Sequence, residues 1–165
     1  MNKMRTIVVW VGLAVGLAAS SASAQVTGAG YAFGAPGQAR ASGHSETTFH
    51  FGGGGEVQTP GGLGGGAEIG FLGPTASFGD GIGVFNANGS YHIRGRTSSR
   101  TVPFITGGYS LLFRHGHSNG WNVGDGVEHW VRPGLGLRLE FRDQVHSDGG
   151  VTAHFLNFRA GISFR

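Results

Sequence analysis

The segment from Leu135 to Asp143, LGLRLEFRD, places an ionised side chain at every second position. Arg138, Glu140 and Arg142 alternate with leucine and phenylalanine, and successive side chains of a β-strand point to opposite faces. On a strand the three charged groups therefore share one face. Arginine and carboxylate groups that pair with each other can be buried, because each satisfies the other. The segment predicts a strand with one ion-pairing face and one apolar face.

Two His–Ser pairs offer a second kind of chemistry, since a histidine beside a serine can activate its hydroxyl for nucleophilic attack. In the second half of the chain, His117 precedes Ser118 and His146 precedes Ser147. Within each pair the residues are adjacent, so on a regular strand they point to opposite faces, and only a β-bulge would bring them together. One ligand-like spacing, His115-x-His117, is present. We expect no metal or other cofactor, and hydrolysis is the less favoured hypothesis.

Alternation with a period of two recurs through the chain after residue 24, where no helical periodicity is found. Turns rich in Gly, Pro, Ser and Asp separate the alternating segments at 59–62, 95–101, 132–134 and 147–150. The pattern predicts eight antiparallel strands of about ten residues, the length that crosses a bilayer when strands are tilted. The pattern is weaker over 26–43, which either forms the first strand or remains flexible.

The polar faces of these strands carry four acids and four arginines. Charges of both signs can pair inside a narrow barrel, while the apolar faces meet lipid. We therefore predict an all-β fold, a closed eight-stranded antiparallel transmembrane β-barrel. A soluble β-sandwich is the competing fold, but its exposed polar face should be rich in lysine, and no lysine follows residue 24. The predicted lumen ion-pair network comprises Glu56, Glu68, Arg94, Glu128, Arg138, Glu140, Arg142 and Arg159.

Aromatic residues fall where outer-membrane barrels carry a girdle at each membrane interface. The predicted girdle consists of Phe71, Phe85, Phe113 and Trp121 near one rim, and Tyr91, Trp130 and Phe164 near the other.

The amino terminus has the features of a secretory signal peptide. Lys3 and Arg5 precede an uncharged apolar run of 13 residues, 7–19, and Ala22-Ser23-Ala24 fits the small-residue rule for cleavage. The predicted organisation is a signal peptide over 1–24 and a barrel domain over 25–165. All 9 acidic residues follow residue 24, whereas two of the 12 basic residues precede it, so cleavage leaves nearly balanced charge. No basic patch survives, and nucleic acid is not an expected partner.

Three segments resemble small outer-membrane β-barrel proteins, the eight-stranded relatives of the OmpA transmembrane domain. They are VPFITGGY at 102–109, RLEFRD at 138–143 and FRAGISF at 158–164. The resemblance lies in the pattern rather than in a strict motif. It implies a location in the outer membrane of a Gram-negative-type envelope. The partners it implies are membrane lipid, lipopolysaccharide, periplasmic chaperones and the barrel-insertion machinery.

The sequence leaves three functions open. The favoured one is a non-enzymatic structural or surface-interaction role with a largely closed lumen. A narrow pore for small solutes is the alternative, because glycines on the polar faces thin the inner wall. A third hypothesis is an enzyme similar to the lipid A deacylase family. The resemblance is that an arginine-bearing strand, Glu140-Phe141-Arg142, leads to a histidine and a serine, His146-Ser147.

Overall fold

A computed structural model of the chain describes residues 26–93, 100–114 and 116–165. It contains eight β-strands and one short 3₁₀ turn, η1. The strands are β1 Thr27–Ala41, β2 His44–Gln58, β3 Leu63–Pro74, β4 Ile82–His92, β5 Thr101–Phe113, β6 His117–Arg132, β7 Leu135–Asp148 and β8 Val151–Phe164, with η1 at Phe78–Asp80 between β3 and β4. No helix within these described ranges is long and apolar enough to cross a bilayer.

Each strand pairs antiparallel with the next, and β1 also pairs with β8, so the sheet closes into a barrel. The prediction of an all-β, eight-stranded antiparallel closed barrel is confirmed. The segment 26–43, which the sequence left open, supplies the first strand and closes the ring. The strands contain 11 to 16 residues, more than the ten expected, because the ladders continue to the tight turns at both ends.

The barrel has two rims that differ in their connections. The terminal rim carries residues 27 and 164, the turns at 59–62 and 133–134, and the adjoining ends of β4 and β5, and the distal rim carries the β1–β2, β3–β4, β5–β6 and β7–β8 connections. Two distal turns contain only two residues, Ser42–Gly43 and Gly149–Gly150, and all four residues have positive φ angles. Both turns are therefore the tight hairpin type whose twist matches that of the flanking strands. The distal rim consequently presents little surface beyond the strands.

Side chains alternate between the lumen and the outer wall, with the polar ones inside. On β7, Arg138, Glu140 and Arg142 are buried, whereas Leu137, Leu139 and Phe141 are 44–52% exposed. Large apolar side chains are exposed on the outer wall of every strand from β2 to β8. A soluble sheet buries its apolar face and exposes its charged one. This barrel does the reverse, as a protein surrounded by lipid must.

The main apolar cluster of the interior is small and lies inside the distal rim. Leu72, Val84 and Leu112 form the buried cluster, against which Ile82 and Phe155 pack. Below it, towards the terminal rim, the lumen is lined by buried amides, hydroxyls, histidines and charged groups. Packing in this barrel therefore depends mainly on polar side chains.

Glycines that face the lumen leave room for those polar side chains, whereas glycines that face outward do not contact them. A Cβ at Gly126 would contact the Leu139 carbonyl and lie 2.7 Å from Phe104 Cζ. A Cβ at Gly55, on the outer wall, would lie 3.7 Å from its nearest neighbour, an ordinary contact.

We expect Gly126→Ala to destabilise the barrel by roughly 1–3 kcal/mol through overpacking. Gly55→Ala should leave stability unchanged or raise it by up to about 1 kcal/mol.

Urea unfolding in detergent micelles, with the two variants measured in parallel, tests this contrast. Equal unfolding midpoints for the two variants would contradict the assignment of Gly126 to a filled interior.

Candidate functional site

Glu68 is the centre of the charged cluster. Its Oε1 accepts hydrogen bonds from Arg142 Nη1 at 3.0 Å, Arg159 Nη2 at 2.7 Å and Asn86 Nδ2 at 2.8 Å. Its Oε2 accepts from the Tyr31 hydroxyl at 2.9 Å and from Arg159 Nη1 at 3.2 Å. Glu68 is only 3% exposed. A buried carboxylate with this many donors is held in its ionised form with its lone pairs satisfied.

A second carboxylate, Glu140, contacts the same two arginines and adds a third, Arg138. It contacts Arg142 through Oε1, and that oxygen also lies 3.3 Å from Arg159 Nη1. Its Oε2 accepts from Arg138 Nε at 3.2 Å. Glu140, Arg142 and Arg138 alternate along β7, so the strand supplies its own plus–minus–plus row, as its sequence pattern suggests.

The cluster crosses the lumen from wall to wall. Glu68 belongs to β3 and Arg142 to β7, which lie four positions apart in a ring of eight and therefore face each other. Arg159 reaches Glu68 from β8. Guanidinium and carboxylate groups thus occupy the middle of the cross-section and hold opposite walls together.

Towards the terminal rim, Arg138 links this cluster to a third carboxylate. Its Nη1 lies 3.7 Å from Glu56 Oε2, and Glu56 Oε1 lies 2.7 Å from His92 Nε2. The Arg138 guanidinium also stacks on two rings, with centroid distances of 4.0 Å to Phe104 and 4.6 Å to Tyr31. Stacked guanidinium groups keep cation–π contact while they donate in their own plane, which an ammonium group cannot do.

One member of the predicted network is placed differently from the rest, and another lies outside the described residues. Glu128 is buried, at 3% exposure, and directly opposes Arg138 in the β6–β7 ladder. No ion pair joins it to a basic residue among those that the structure describes. Arg94 lies outside the described residues. The other six predicted residues, Glu56, Glu68, Arg138, Glu140, Arg142 and Arg159, lie in one connected cluster.

Six of the seven predicted girdle residues lie on the outer wall. Trp121, Tyr91 and Phe164 are 47–53% exposed and Phe113 is 39% exposed, while Phe71 and Phe85 are partly covered by neighbouring side chains. The prediction is wrong for Trp130. This residue shares the inward face of β6 with Glu128, is 9% exposed, and packs under Arg165, whose guanidinium carbon is 3.8 Å from the ring centroid.

Several residues of the cluster were not identified from the sequence. Tyr31, Asn86 and Phe104 contact the charged groups directly, as does His92. The alternation pattern could have placed each of them inside, because each lies an even number of positions along its strand from a predicted lumen residue or a small inward residue. Their aromatic and amide side chains carry no formal charge, so a pattern of alternating charges does not single them out.

The His–Ser pairs are divided between the two faces of the wall. His146 is buried in the lumen, with Nε2 3.1 Å from Ser110 Oγ, whereas Ser147 is exposed and bonds to Thr152 at 3.0 Å. His117 is exposed on the distal rim, and His115 lies outside the described residues. Within the described ranges, no group of three or more His, Asp or Glu residues is arranged to hold a metal ion. Neither His–Ser pair therefore forms a nucleophile and its base.

Solved structures share this fold. Neisserial surface protein A aligns with a TM-score of 0.66 and 16% sequence identity, over 84% of this chain and 97% of that one. The N-terminal β-barrel domain of Pseudomonas aeruginosa OprF aligns with a TM-score of 0.50 and 12% identity, over 82% of this chain and 97% of that one. No family model matches the chain. No curated protein matches it either. The fold is thus that of small eight-stranded outer-membrane barrels.

Removing the charge of Glu68 should weaken the barrel. Glu68→Gln keeps the side chain's shape but removes one of the two carboxylates that Arg142 and Arg159 share, and breaking a buried pair in this way costs about 3–5 kcal/mol. We expect the urea midpoint of the variant in detergent to fall accordingly. Glu46→Gln, an exposed acid near the distal rim, is the matched control and should leave the midpoint unchanged. Equal midpoints for Glu68→Gln and wild type would show that the cluster does not hold the walls together.

Proposed function

We propose that this chain is an outer-membrane β-barrel protein with a structural or surface-interaction role and a lumen closed by its ion-paired cluster. The observation that carries the proposal is the bridge from Glu68 on β3 to Arg142 and Arg159 on β7 and β8. A barrel whose middle is filled by buried, mutually bonded charges has no open path along its axis. The apolar outer wall supplies the surface that lipid covers.

The proposal includes the route by which the barrel reaches the membrane. The signal peptide over 1–24 would direct export, and the barrel over 25–165 would then be carried by periplasmic chaperones to the insertion machinery. Membrane lipid and lipopolysaccharide are the expected partners of the inserted wall. The terminal rim would face the periplasm, because both ends of the barrel domain lie there, and the distal rim would face outward.

The shape of the distal rim favours a role in envelope integrity over large-scale adhesion. Two of its four connections are two-residue turns, and the longest, at 75–81, is partly folded into η1. Any surface interaction there would involve a small contact area. The separation of His146 from Ser147 across the wall favours a non-enzymatic role over the deacylase-like hypothesis.

A narrow pore is the second candidate, and one observation favours it. Between the cluster and the distal apolar cluster, the lumen contains buried polar atoms without a hydrogen-bond partner among the described residues. They include both ring nitrogens of His50, Gln144 Oε1 and Asn157 Oδ1. Buried polar groups of this kind are commonly satisfied by internal water. A pore would need this wet section to connect through both the charged and the apolar layers.

Ion conductance across a planar bilayer separates the two functions. We expect the wild-type protein to show no conductance. The double variant Glu68→Ala with Leu72→Ala, which shortens one side chain in the charged cluster and one in the distal apolar cluster, should show steady conductance. The matched control is Glu46→Ala with Val57→Ala, an exposed acid and an outward valine, which should remain silent. Protease resistance in the membrane establishes that each variant has inserted. Steady conductance of the wild type would overturn the closed lumen and support the pore.

A further inference from the structure

The outer wall contains a groove that the proposed function does not use. It has a volume of about 660 Å³ and runs across β3 to β7. Leu63, Tyr91 and Phe141 belong to its apolar lining, and Gly89 and Gly107, which pair directly with each other, form part of its floor. Cavities of roughly 300–1,000 Å³ with a mainly apolar lining and a few polar groups are typical small-molecule sites.

A carboxylate lies in this groove at the level where lipid tails should surround the wall. Asp125 is exposed on the outward face of β6, and its neighbours in the ladders are Ile105 and Phe141. Along β6 the flanking outward residues are Val123 and Val127. Asp125 makes no hydrogen bond or ion pair with any residue in the described ranges. An ionised group in hydrocarbon is costly, and where one occurs it usually marks a functional site.

A second aspartate extends the polar character of the groove towards the distal rim. Asp143 also lines the groove, and its Oδ2 lies 2.8 Å from His154 Nδ1 on the outer wall. Its Oδ1 is buried and lacks a hydrogen-bond partner within the described part of the chain. The groove thus combines apolar walls with two acceptors, and neither aspartate contacts an arginine there.

At Gly89 the floor of the groove is open because of residue choice rather than because the fold requires it. A Cβ at Gly89 would lie 3.9 Å from the nearest atom, so a side chain would fit without strain. Glycine in a strand interior weakens the strand and often marks a place where another molecule approaches the backbone closely. Gly89 therefore provides space outside the barrel, unlike the inward glycines, which provide space for lumen side chains.

We propose that this groove binds an apolar small molecule that carries one cationic amine, with the amine on Asp125 and the apolar body over Gly89 and Gly107. The inference rests on the proposed function, since it requires the wall to face lipid. Charge complementarity selects this occupant: only a cation relieves the cost of the carboxylate at this depth, and an alkyl chain alone would not. A second copy in a two-fold contact centred on the groove would bring another Asp125 to the same surface.

Equilibrium uptake of dodecylamine by vesicles with and without inserted protein tests the proposal, with dodecanol as the uncharged probe. We expect a saturable excess of about one amine per wild-type barrel, as for a single small-molecule site, and no excess of the alcohol. Asp125→Asn should abolish the excess by removing the charge, and Gly89→Leu should abolish it by filling the groove. Asp80→Asn and Gly55→Leu, an exposed acid and an outward glycine away from the groove, should both retain it.

Three results would overturn the proposal. They are equal excess uptake by wild type and Asp125→Asn, equal excess of amine and alcohol, or a change of oligomeric state on sedimentation with Gly89→Leu while amine uptake stays constant. The last result would identify the groove as an interface between copies of the chain. Protease protection is measured on the same vesicles. A chain that fails to insert disproves the proposed function, whereas an inserted barrel without excess amine disproves only the binding site.

Discussion

The pairing of buried charge across a narrow lumen is the constraint on which the rest of this structure depends. Eight strands enclose a space too small to solvate ionised groups with bulk water, so Glu56, Glu68 and Glu140 find their counter-charges among the lumen side chains. Glu68 does so on the opposite side of the barrel, with Arg142 and Arg159. This requirement fixes strand parity, because a shift of one residue would move the arginines into the outer wall.

The choice of arginine and the placement of glycine both follow from that constraint. Arg138 and Arg159 donate to carboxylates in the guanidinium plane while their faces stack on Phe104 and Phe33. A planar cation can satisfy both demands at once, which a lysine cannot. These long side chains need space, and inward glycines such as Gly126 provide it. At the outward Gly89, by contrast, an added Cβ would have no neighbour nearer than 3.9 Å, and the space there opens to the outside of the barrel.

Much of this arrangement could be predicted from the sequence, because period-two alternation states which residues share a face. Strand number follows from the alternation together with the turn residues, closure from the balanced charge of the polar faces, and the inward direction of Arg138, Glu140 and Arg142 from parity. The pairings themselves do not, since Glu68 and Arg159 are 91 residues apart and meet only through closure. The assignment of Trp130 to the girdle is wrong because it followed the residue type alone. Trp130 lies two positions from Glu128 on the same strand, which places both on the inward face. Asp125 broke the apolar pattern of its strand, and only the structure shows that it lies in a groove.

Spin labels placed on the outer wall test most directly whether that wall faces lipid. The chain contains no cysteine, so one introduced residue accepts a spin label uniquely. We expect a spin label at Leu139 or Ile69 of the vesicle-inserted protein to collide frequently with oxygen and very rarely with a water-soluble nickel chelate. A label at His44, on the distal rim, should collide with the chelate freely. Ready access of the chelate to Leu139 and Ile69 would contradict a lipid-facing apolar wall, and with it the inverted arrangement of this barrel.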